Sequence, residues 1–196
     1  TKVEKGHQPR AALPLLLTPL LYKLGIPNLD AQIEEVRKLP IMKERAQEIA
    51  ETLKGKIPCI YANGVMIPIA YRWRCQIEEN AKQLAFHHEI PEMNHNEIVG
   101  WEKSPEGFAV VLIRDNQEAE IVGKRFNATK KVVWESKDEA NLEMVEIMTE
   151  GESLLARMMS SVLLGDLVSL KLAEMNGVDP TPVTVIENLK TELDGN

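Results

Sequence analysis

The sequence has few of the features that mark several common classes of protein. Only two of its 196 residues are cysteines, Cys59 and Cys75, and they do not form a Cys-x-x-Cys pair. A disulfide framework or a structural zinc site is therefore not indicated, and a reducing, cytoplasmic setting fits. The formal net charge of -7 leaves no excess of basic residues for a phosphate backbone, which argues against nucleic acid as a partner.

Long apolar runs are also missing. The stretch 11–24 is interrupted by two prolines, and the stretch 154–175 carries charged side chains, so neither is suited to span a membrane. The first residue is Thr1, and no charged segment with a small-residue cleavage site follows it. We expect no membrane partner, and we expect the chain to begin partway through a longer gene product.

Apolar segments of strand and helix type alternate along the chain, whose residues are 44% hydrophobic. Strands are predicted at 57–61, 108–113, 131–134 and 142–148. Helices are predicted over 29–53 with a break near residue 40, from about residue 69 to residue 88, over 117–127 behind a cap at 114–116, and over 153–175 behind a Thr149-x-x-Glu152 capping box. This order indicates an α/β domain with a parallel sheet covered on both faces by helices.

The helix predicted over 153–175 is apolar around much of its circumference. A small domain cannot bury such a helix against one sheet alone, so a surface for a partner is indicated. The alternative is a central helix packed between the sheet and neighbouring helices of the same chain.

Glu79 and His95 are the first candidates for catalytic residues, because a carboxylate and an imidazole together suit proton transfer near neutral pH. Helical spacing places Glu79 away from the apolar stripe of its helix, where the plain alternative is a solvated side chain paired with Lys82. His95 lies in the polar run Asn94-His95-Asn96-Glu97, which could equally be a helix cap and loop.

Two basic residues are weaker candidates. Lys190 lies close to the apolar stripe of the last helical pattern, so it is either a side chain whose stem covers apolar surface or a cation held at the edge of a cleft. Arg10 has no local pattern and by itself would be a loop arginine. Apart from the adjacent pair His87 and His88, no histidines have the spacing of metal ligands, so a metal ion is not expected.

Six motifs occur in order along nearly the whole chain: Gln8-Pro9-Arg10-Ala11-Ala12-Leu13, Glu79-Asn80-Ala81-Lys82, Pro91-Glu92-Met93-Asn94-His95-Asn96-Glu97, Glu150-Gly151-Glu152-Ser153-Leu154-Leu155-Ala156-Arg157, Leu164-Gly165-Asp166 and Asn176-Gly177-Val178-Asp179-Pro180-Thr181-Pro182-Val183. With these motifs the chain resembles the C-terminal half of the bifunctional phosphoglucose/phosphomannose isomerases, members of the phosphoglucose isomerase superfamily built from SIS (sugar isomerase) domains. The Asn-His-Asn-Glu and Gly-Val-Asp-Pro blocks are the most specific parts of the match.

The resemblance implies a three-layer SIS-type α/β domain, in which a parallel sheet is flanked by helices, with extra N- and C-terminal helices. Residues 1–27 are then a linker and helix that follow an N-terminal SIS domain outside this chain, and residues 28–196 are the C-terminal SIS domain. It further implies a homodimer, in which the histidine of each site comes from the neighbouring subunit.

The resemblance also implies the roles of four residues. Glu79 matches the base that moves a proton between C2 and C1, and His95 matches the ring-opening histidine. Arg10 matches the arginine beside the enediolate, and Lys190 matches the C-terminal lysine near the ring oxygen. The implied function is the isomerisation of glucose 6-phosphate or mannose 6-phosphate to fructose 6-phosphate, without a metal or organic cofactor.

One departure from the family leaves an alternative open. The Ser/Thr-rich phosphate loop of the family belongs to its first SIS domain, and this sequence has no Ser-Gly-x-Ser type run. We therefore expect little or no isomerase activity from the isolated chain. The alternative is a noncatalytic SIS module that binds a sugar phosphate or that only dimerises.

Overall fold

The computed structural model describes residues 6–103, 106–135 and 142–195, which form a parallel sheet with helices on both faces. The strands are β1 (Ile57–Ala62), β2 (Phe86–Glu89), β3 (Phe108–Arg114) and β4 (Glu143–Met148). The helices are α1 (Leu13–Lys23), α2 (Leu29–Arg37), α3 (Lys43–Leu53), α4 (Ile67–Ala81), α5 (Glu97–Gly100), α6 (Glu120–Thr129), α7 (Leu154–Met175) and α8 (Thr184–Leu193). The strand order is β2-β1-β3-β4 with every neighbouring pair parallel, which confirms the three-layer α/β fold expected from the sequence.

β1 and β3 lie at the centre of the sheet and are covered on both faces. Their apolar runs lack alternation for this reason, and Ile60 pairs with Val111 in a fully buried register. On one face the core is formed with α3, α4 and α7. On the other face it is formed by the segment around Met93 and Trp101 together with Phe126 near the end of α6.

α7 is the central helix of the domain. It packs against α2, α3 and α4, and it buries Val168 and Leu172 in the larger core. The apolar circumference that indicated a partner surface is therefore covered largely within the chain, as in the alternative interpretation. Gly165 allows a close approach to α4, because a β-carbon at this position would lie 2.3 Å from Trp73 Nε1. The indole N–H of Trp73 donates to the Ser161 carbonyl at 2.8 Å.

The amino end of α7 is not built on the predicted capping box at Thr149. Ser153 is the N-cap residue instead, and its hydroxyl accepts a hydrogen bond from the Ala156 N–H at 3.2 Å. The backbone N–H groups of Glu152 and Ser153 donate to the carboxylate of Glu35 in α2, at 2.5 and 3.1 Å. The end of the central helix is thus joined to an earlier helix through a single carboxylate.

The segment 131–134 is not a strand, contrary to the prediction. α6 continues through it as a π-helical turn, Lys130–Glu135, and Val133 and Trp134 are buried against the sheet. A short apolar run serves the core equally well from a helix or a strand, which is why the pattern misled. The cap predicted at 114–116 is also wrong, because α6 begins after it without a side-chain cap.

The helix predicted to reach His88 ends at Ala81. Lys82 takes a left-handed conformation with φ of 54°, and the chain then turns into the edge strand β2, which carries His88. Leu84, predicted on the buried stripe, is 65% exposed. The prediction failed because the left-handed residue is a lysine and not the glycine or asparagine that commonly ends a helix.

Apart from the one-turn helix α5, which was not predicted, the remaining helices agree with the sequence. The break predicted near residue 40 separates α2 from α3, and α1 and α8 are the expected terminal helices. Neither terminal helix contributes a buried residue to the described core. Across the described ranges, no helix has both the length and the apolar character needed to cross a membrane.

Candidate functional site

Glu79 and Arg10 lie together at the last turn of α4. The distance from Arg10 Nη1 to Glu79 Oε2 is 3.4 Å, and the side chains are 10% and 37% exposed respectively. α4 carries Glu79 on the face away from its buried stripe, and a short 3-10 turn, Pro9–Ala11, presents Arg10 to that face. A carboxylate that solvent can reach is thus held beside a guanidinium that is mostly covered.

Arg10 also binds the chain that precedes α8. Its Nη2 donates to the carbonyl oxygens of Pro180 and Thr181 at 2.5 and 2.9 Å, and its Nε donates to Asn80 Oδ1 at 2.7 Å. Gln8 Oε1 lies 3.5 Å from Nη1. Far from being a loose loop arginine, Arg10 joins the amino-terminal segment, α4 and the carboxyl-terminal segment.

A polar network lies beneath Arg10, between α4 and α7. Asn80 Nδ2 donates to Ser169 Oγ at 2.9 Å, and the Ser169 hydroxyl donates to the Asp166 carbonyl at 2.8 Å. The Asp166 carboxylate accepts from Arg72 at 2.8 Å and from Gln76 at 2.7 Å. None of these residues was assigned a role from the sequence, although Asn80 and Asp166 lie in two of the matching motifs. The available signal was polar side chains at helical spacing within two largely buried helices.

Lys82 does not form the side-chain pair with Glu79 that the plain alternative requires. Its ammonium donates to the backbone carbonyl of Glu79 at 2.6 Å, which leaves the carboxylate to Arg10. Among the described residues, Glu79 is the only carboxylate that pairs with Arg10, and Arg10 is the only cationic side chain that pairs with Glu79.

His95 lies in the turn that follows β2, and its side chain is exposed. Its backbone N–H donates to the Glu92 carbonyl at 2.9 Å, while within the described part of the chain its imidazole makes no hydrogen bond. The residues around it are well held: Asn94 donates to Thr129 Oγ1 at 2.7 Å. The imidazole is consequently presented to solvent by a fixed turn.

Glu97 anchors the other side of the same turn. Its carboxylate accepts hydrogen bonds from the Tyr61 hydroxyl and, at 3.3 Å, from the Trp101 indole. Burial raises the pKa of Tyr61, so the hydroxyl remains a donor. This group was not among the candidates from the sequence, where Glu97 was noted only as part of the motif.

One chain does not bring Glu79 and His95 together. In a parallel sheet the helix between two strands returns the chain from the carboxyl edge to the amino edge. Glu79 lies at the end of α4, near the amino edge, whereas His95 follows the carboxyl end of β2. The two side chains therefore lie at opposite ends of the strands, one near the amino ends and one near the carboxyl ends. They are separated by at least the length of a short strand, about 10 Å.

Lys190 lies on α8 and is exposed, as are the apolar residues of its stripe. Within residues 6–103, 106–135 and 142–195, its ammonium makes no ion pair or hydrogen bond. Among the described residues, Arg10 binds the segment that precedes α8, through the Pro180 and Thr181 carbonyls, but neither Arg10 nor Glu79 forms a hydrogen bond or ion pair with Lys190. No three His, Cys, Asp or Glu side chains of the described residues form a potential metal site.

Sequence and structure comparisons relate the chain to sugar-phosphate isomerases. A relative from Aquifex aeolicus, named bifunctional phosphoglucose/phosphomannose isomerase, is 37% identical over 198 residues, which cover 98% of this chain and 60% of the relative. A relative of the same name from Caldicellulosiruptor bescii is 39% identical over 97% of this chain and 61% of its own length. The chain thus spans about three fifths of these relatives.

The fold is also found in a solved structure, a glucose-6-phosphate isomerase like protein from Thermus thermophilus. The TM-score is 0.70 at 24% sequence identity, and the match covers 93% of this chain and 62% of that protein. Residues 42–193 match the family model described as the bacterial phospho-glucose isomerase C-terminal SIS domain. The chain belongs to this family of C-terminal SIS domains.

Proposed function

We propose that the chain supplies the proton-transfer residues of an aldose-ketose isomerase for hexose 6-phosphates. The reaction interconverts fructose 6-phosphate with glucose 6-phosphate or mannose 6-phosphate. The observation that carries the proposal is the Arg10 and Glu79 pair, a reachable carboxylate 3.4 Å from a guanidinium at the end of α4. A base beside a fixed cation is what the formation of an enediolate requires.

Glu79 is the base in this mechanism. It removes the proton from C2 of the open-chain aldose, and the electron pair moves toward the C1 carbonyl to give a cis-enediolate. Arg10 stabilises the negative charge on the enediolate oxygens. The proton is then returned by Glu79 to C1 while a hydroxyl proton moves from O2 to O1, which gives the ketose. His95 and Lys190 assist the opening of the sugar ring.

The opposite positions of Glu79 and His95 support a dimeric site. A site with both residues needs His95 from a second copy of the chain, so we propose a homodimer with two shared sites. Lys190 belongs to the half-site of Glu79, because the segment leading to α8 is bound by Arg10 in the same chain.

The phosphate group of the substrate is bound outside this half-site. Residues 1–27 act as a linker and helix after an N-terminal SIS domain, and residues 28–196 form the C-terminal SIS domain. Phosphate sites are commonly built from backbone and hydroxyl donors at a helix amino end, and binding of a remote phosphate holds the reacting carbons against the base. The chain alone is therefore expected to have little activity.

The test is a coupled isomerase assay with fructose 6-phosphate on two proteins. One is the chain alone, and the other is the chain joined to the part of the Aquifex aeolicus relative that it does not match. We expect activity in the joined protein and its loss in the joined protein with Glu79→Gln. Binding of fructose 6-phosphate without turnover, and without exchange of its C1 proton in D2O, would instead favour the noncatalytic module.

A further inference from the structure

We infer that Asn80 is a positioning residue that holds the guanidinium of Arg10 in one orientation beside Glu79. The inference rests on the proposed function, in which Arg10 stabilises the enediolate charge. Asn80 itself is 5% exposed and lies beneath Arg10, so it contacts the reacting atoms only through that arginine.

The guanidinium of Arg10 is held unevenly. A guanidinium has five N–H donors, and the Nε and Nη2 donors make contacts of 2.7, 2.5 and 2.9 Å with Asn80, Pro180 and Thr181. Contacts of Nη1 are longer, 3.5 Å to Gln8 and 3.4 Å to Glu79, at or near the limit for a hydrogen bond. Nη1 is therefore the nitrogen that can exchange its partners for a substrate oxyanion at low cost.

The amide of Asn80 can point in only one direction. Ser169 has one hydroxyl hydrogen, which it donates to the Asp166 carbonyl at 2.8 Å, so toward Asn80 it can act only as an acceptor. The amide nitrogen of Asn80 must then face Ser169, at 2.9 Å, and the amide oxygen must face Arg10 Nε. Because Ser169 has no exposed surface, water does not compete for this arrangement.

The backbone of Arg10 is fixed at the same time. Arg72 Nη2 donates to the Arg10 carbonyl at 2.9 Å and to the Asp166 carboxylate at 2.8 Å. Arg10 is thus held at its main chain by Arg72 and at its Nε by Asn80. With both ends fixed, Nη1 is preorganised toward the carbon that Glu79 would deprotonate, and preorganised charge is most effective in catalysis.

The experiment compares Asn80→Ala with two variants. Asn80→Asp keeps an acceptor for Arg10 Nε and adds a negative charge that attracts the guanidinium, while the Ser169 hydroxyl can turn from the Asp166 carbonyl to donate to the new carboxylate. Asn176→Ala removes a different side chain that bonds α7 to the end of α4, at Ala81 O and Gln83 Oε1, without touching Arg10. Hydrogen exchange of the Arg10 Nε–H is followed by ¹⁵N NMR in the 196-residue chain. We expect loss of protection in Asn80→Ala and retained protection in the other two.

The kinetic arm uses the active joined protein. Asn80→Ala should lower kcat about 10- to 100-fold with a smaller change in KM, because the misplaced group acts mainly in the transition state. Retained protection of Arg10 Nε–H in folded Asn80→Ala, or an unchanged kcat, overturns the inference.

Ser169→Ala, which removes the acceptor for the amide, should also lose protection and replaces Asn80→Ala if that variant does not fold. If the wild-type protein has no isomerase activity, the proposed function fails while the NMR result still decides whether Asn80 holds Arg10.

Discussion

At the scale of single residues, Arg10 connects three parts of the chain through one guanidinium. Replacement by lysine keeps the charge but provides one compact ammonium in place of a planar fork, so Asn80 and the carbonyls of Pro180 and Thr181 cannot all keep their donors. We expect Arg10→Lys to lower the free energy of unfolding by about 1–3 kcal/mol. Urea unfolding of the 196-residue chain measures this loss.

Arg37→Lys is the matched control for Arg10→Lys. Arg37 pairs with Glu34 on the surface of α2, and the two side chains are 71% and 58% exposed. Exposed pairs of this kind contribute at most about 1 kcal/mol, so the control should leave the urea midpoint nearly unchanged. Equal midpoints for the two variants would mean that the contacts of Arg10 add no stability.

The two cysteines should differ in reactivity. Cys59 is buried in β1. This burial, with a smaller contribution from the charge of Glu97, raises the pKa of its thiol to about 12. At pH 8 only about one thiol in ten thousand is then ionised, and the thiolate is the reactive form. We expect iodoacetamide to label the partly exposed Cys75 in the folded chain and Cys59 only after unfolding in urea.

Mass spectrometry of the labelled chain checks this prediction, and Cys75→Ser isolates the signal of Cys59. Rapid labelling of Cys59 in the folded Cys75→Ser protein would contradict it.

The contacts of the candidate site could not be predicted from local patterns. Arg10 and Glu79 are 69 positions apart, and Asn80 and Ser169 are 89 positions apart. A helical pattern predicts the face on which each of these side chains lies, but it carries no information about which other face comes to meet it. Glu79 is a candidate from its chemistry, and Arg10 takes its role from the family resemblance. Asn80 lies in one of the matching motifs but was assigned no role, and Ser169 lies outside the motifs and was missed.

At the scale of elements, the sequence was informative where burial imposes a long pattern. β1, β3 and β4 were predicted from apolar runs, and the break between α2 and α3 was predicted near Pro40. β2 was missed because an edge strand with the sequence Phe-His-His-Glu needs little apolar surface. Residues 131–134 were misassigned because a lysine followed by three apolar residues fits a helix turn as well as a strand.

Glu35 gives the amino end of α7 a pH-dependent contribution to stability. Hydrogen bonds from Ser153 and from the Glu152 N–H hold the pKa of Glu35 below its ordinary value of 4.5. A lowered folded-state pKa means that the stabilisation is present above the unfolded value and is lost as the pH falls through the folded value. We expect Glu35→Gln to lower Tm at pH 7, and the difference from wild type to shrink below about pH 4.5.

Thermal unfolding by circular dichroism over pH 3–7 measures this effect, with Glu34→Gln as the control. Glu34 is the neighbouring carboxylate and pairs only with the exposed Arg37 among the described residues. A Tm difference for Glu35→Gln that is constant over this range would show that the carboxylate charge does not stabilise α7.

At the scale of the whole molecule, the separation of Glu79 from His95 leads to a complementation experiment. If each site takes Glu79 from one chain and His95 from the other, a dimer of Glu79→Gln with His95→Ala contains one intact site. Random mixing of the two inactive joined proteins should restore about a quarter of the wild-type activity, since half of the dimers are mixed and half of their sites are intact.

The control mixes Glu79→Gln with Arg10→Lys, two variants of the same half-site. Because Glu79 and Arg10 are contributed by the same chain, no mixed dimer has an intact site, and the activity should not rise above the mean of the two separate variants. Equal recovery in both mixtures would mean that His95 does not act across the dimer.

The absence of a side chain at Gly165 controls how closely α4 and α7 pack beneath Arg10. Ser169 follows Gly165 by one turn of α7, and Asn80 follows Trp73 by two turns of α4. The contact of Trp73 with Gly165 and the hydrogen bond from Asn80 to Ser169 therefore lie along the same interface between the two helices. A methyl group at Gly165 would clash with the indole of Trp73 and push α4 away from α7, which would lengthen the hydrogen bond from Asn80 to Ser169. The orientation of Arg10, at the other end of the sequence, therefore depends on a side chain that position 165 does not have.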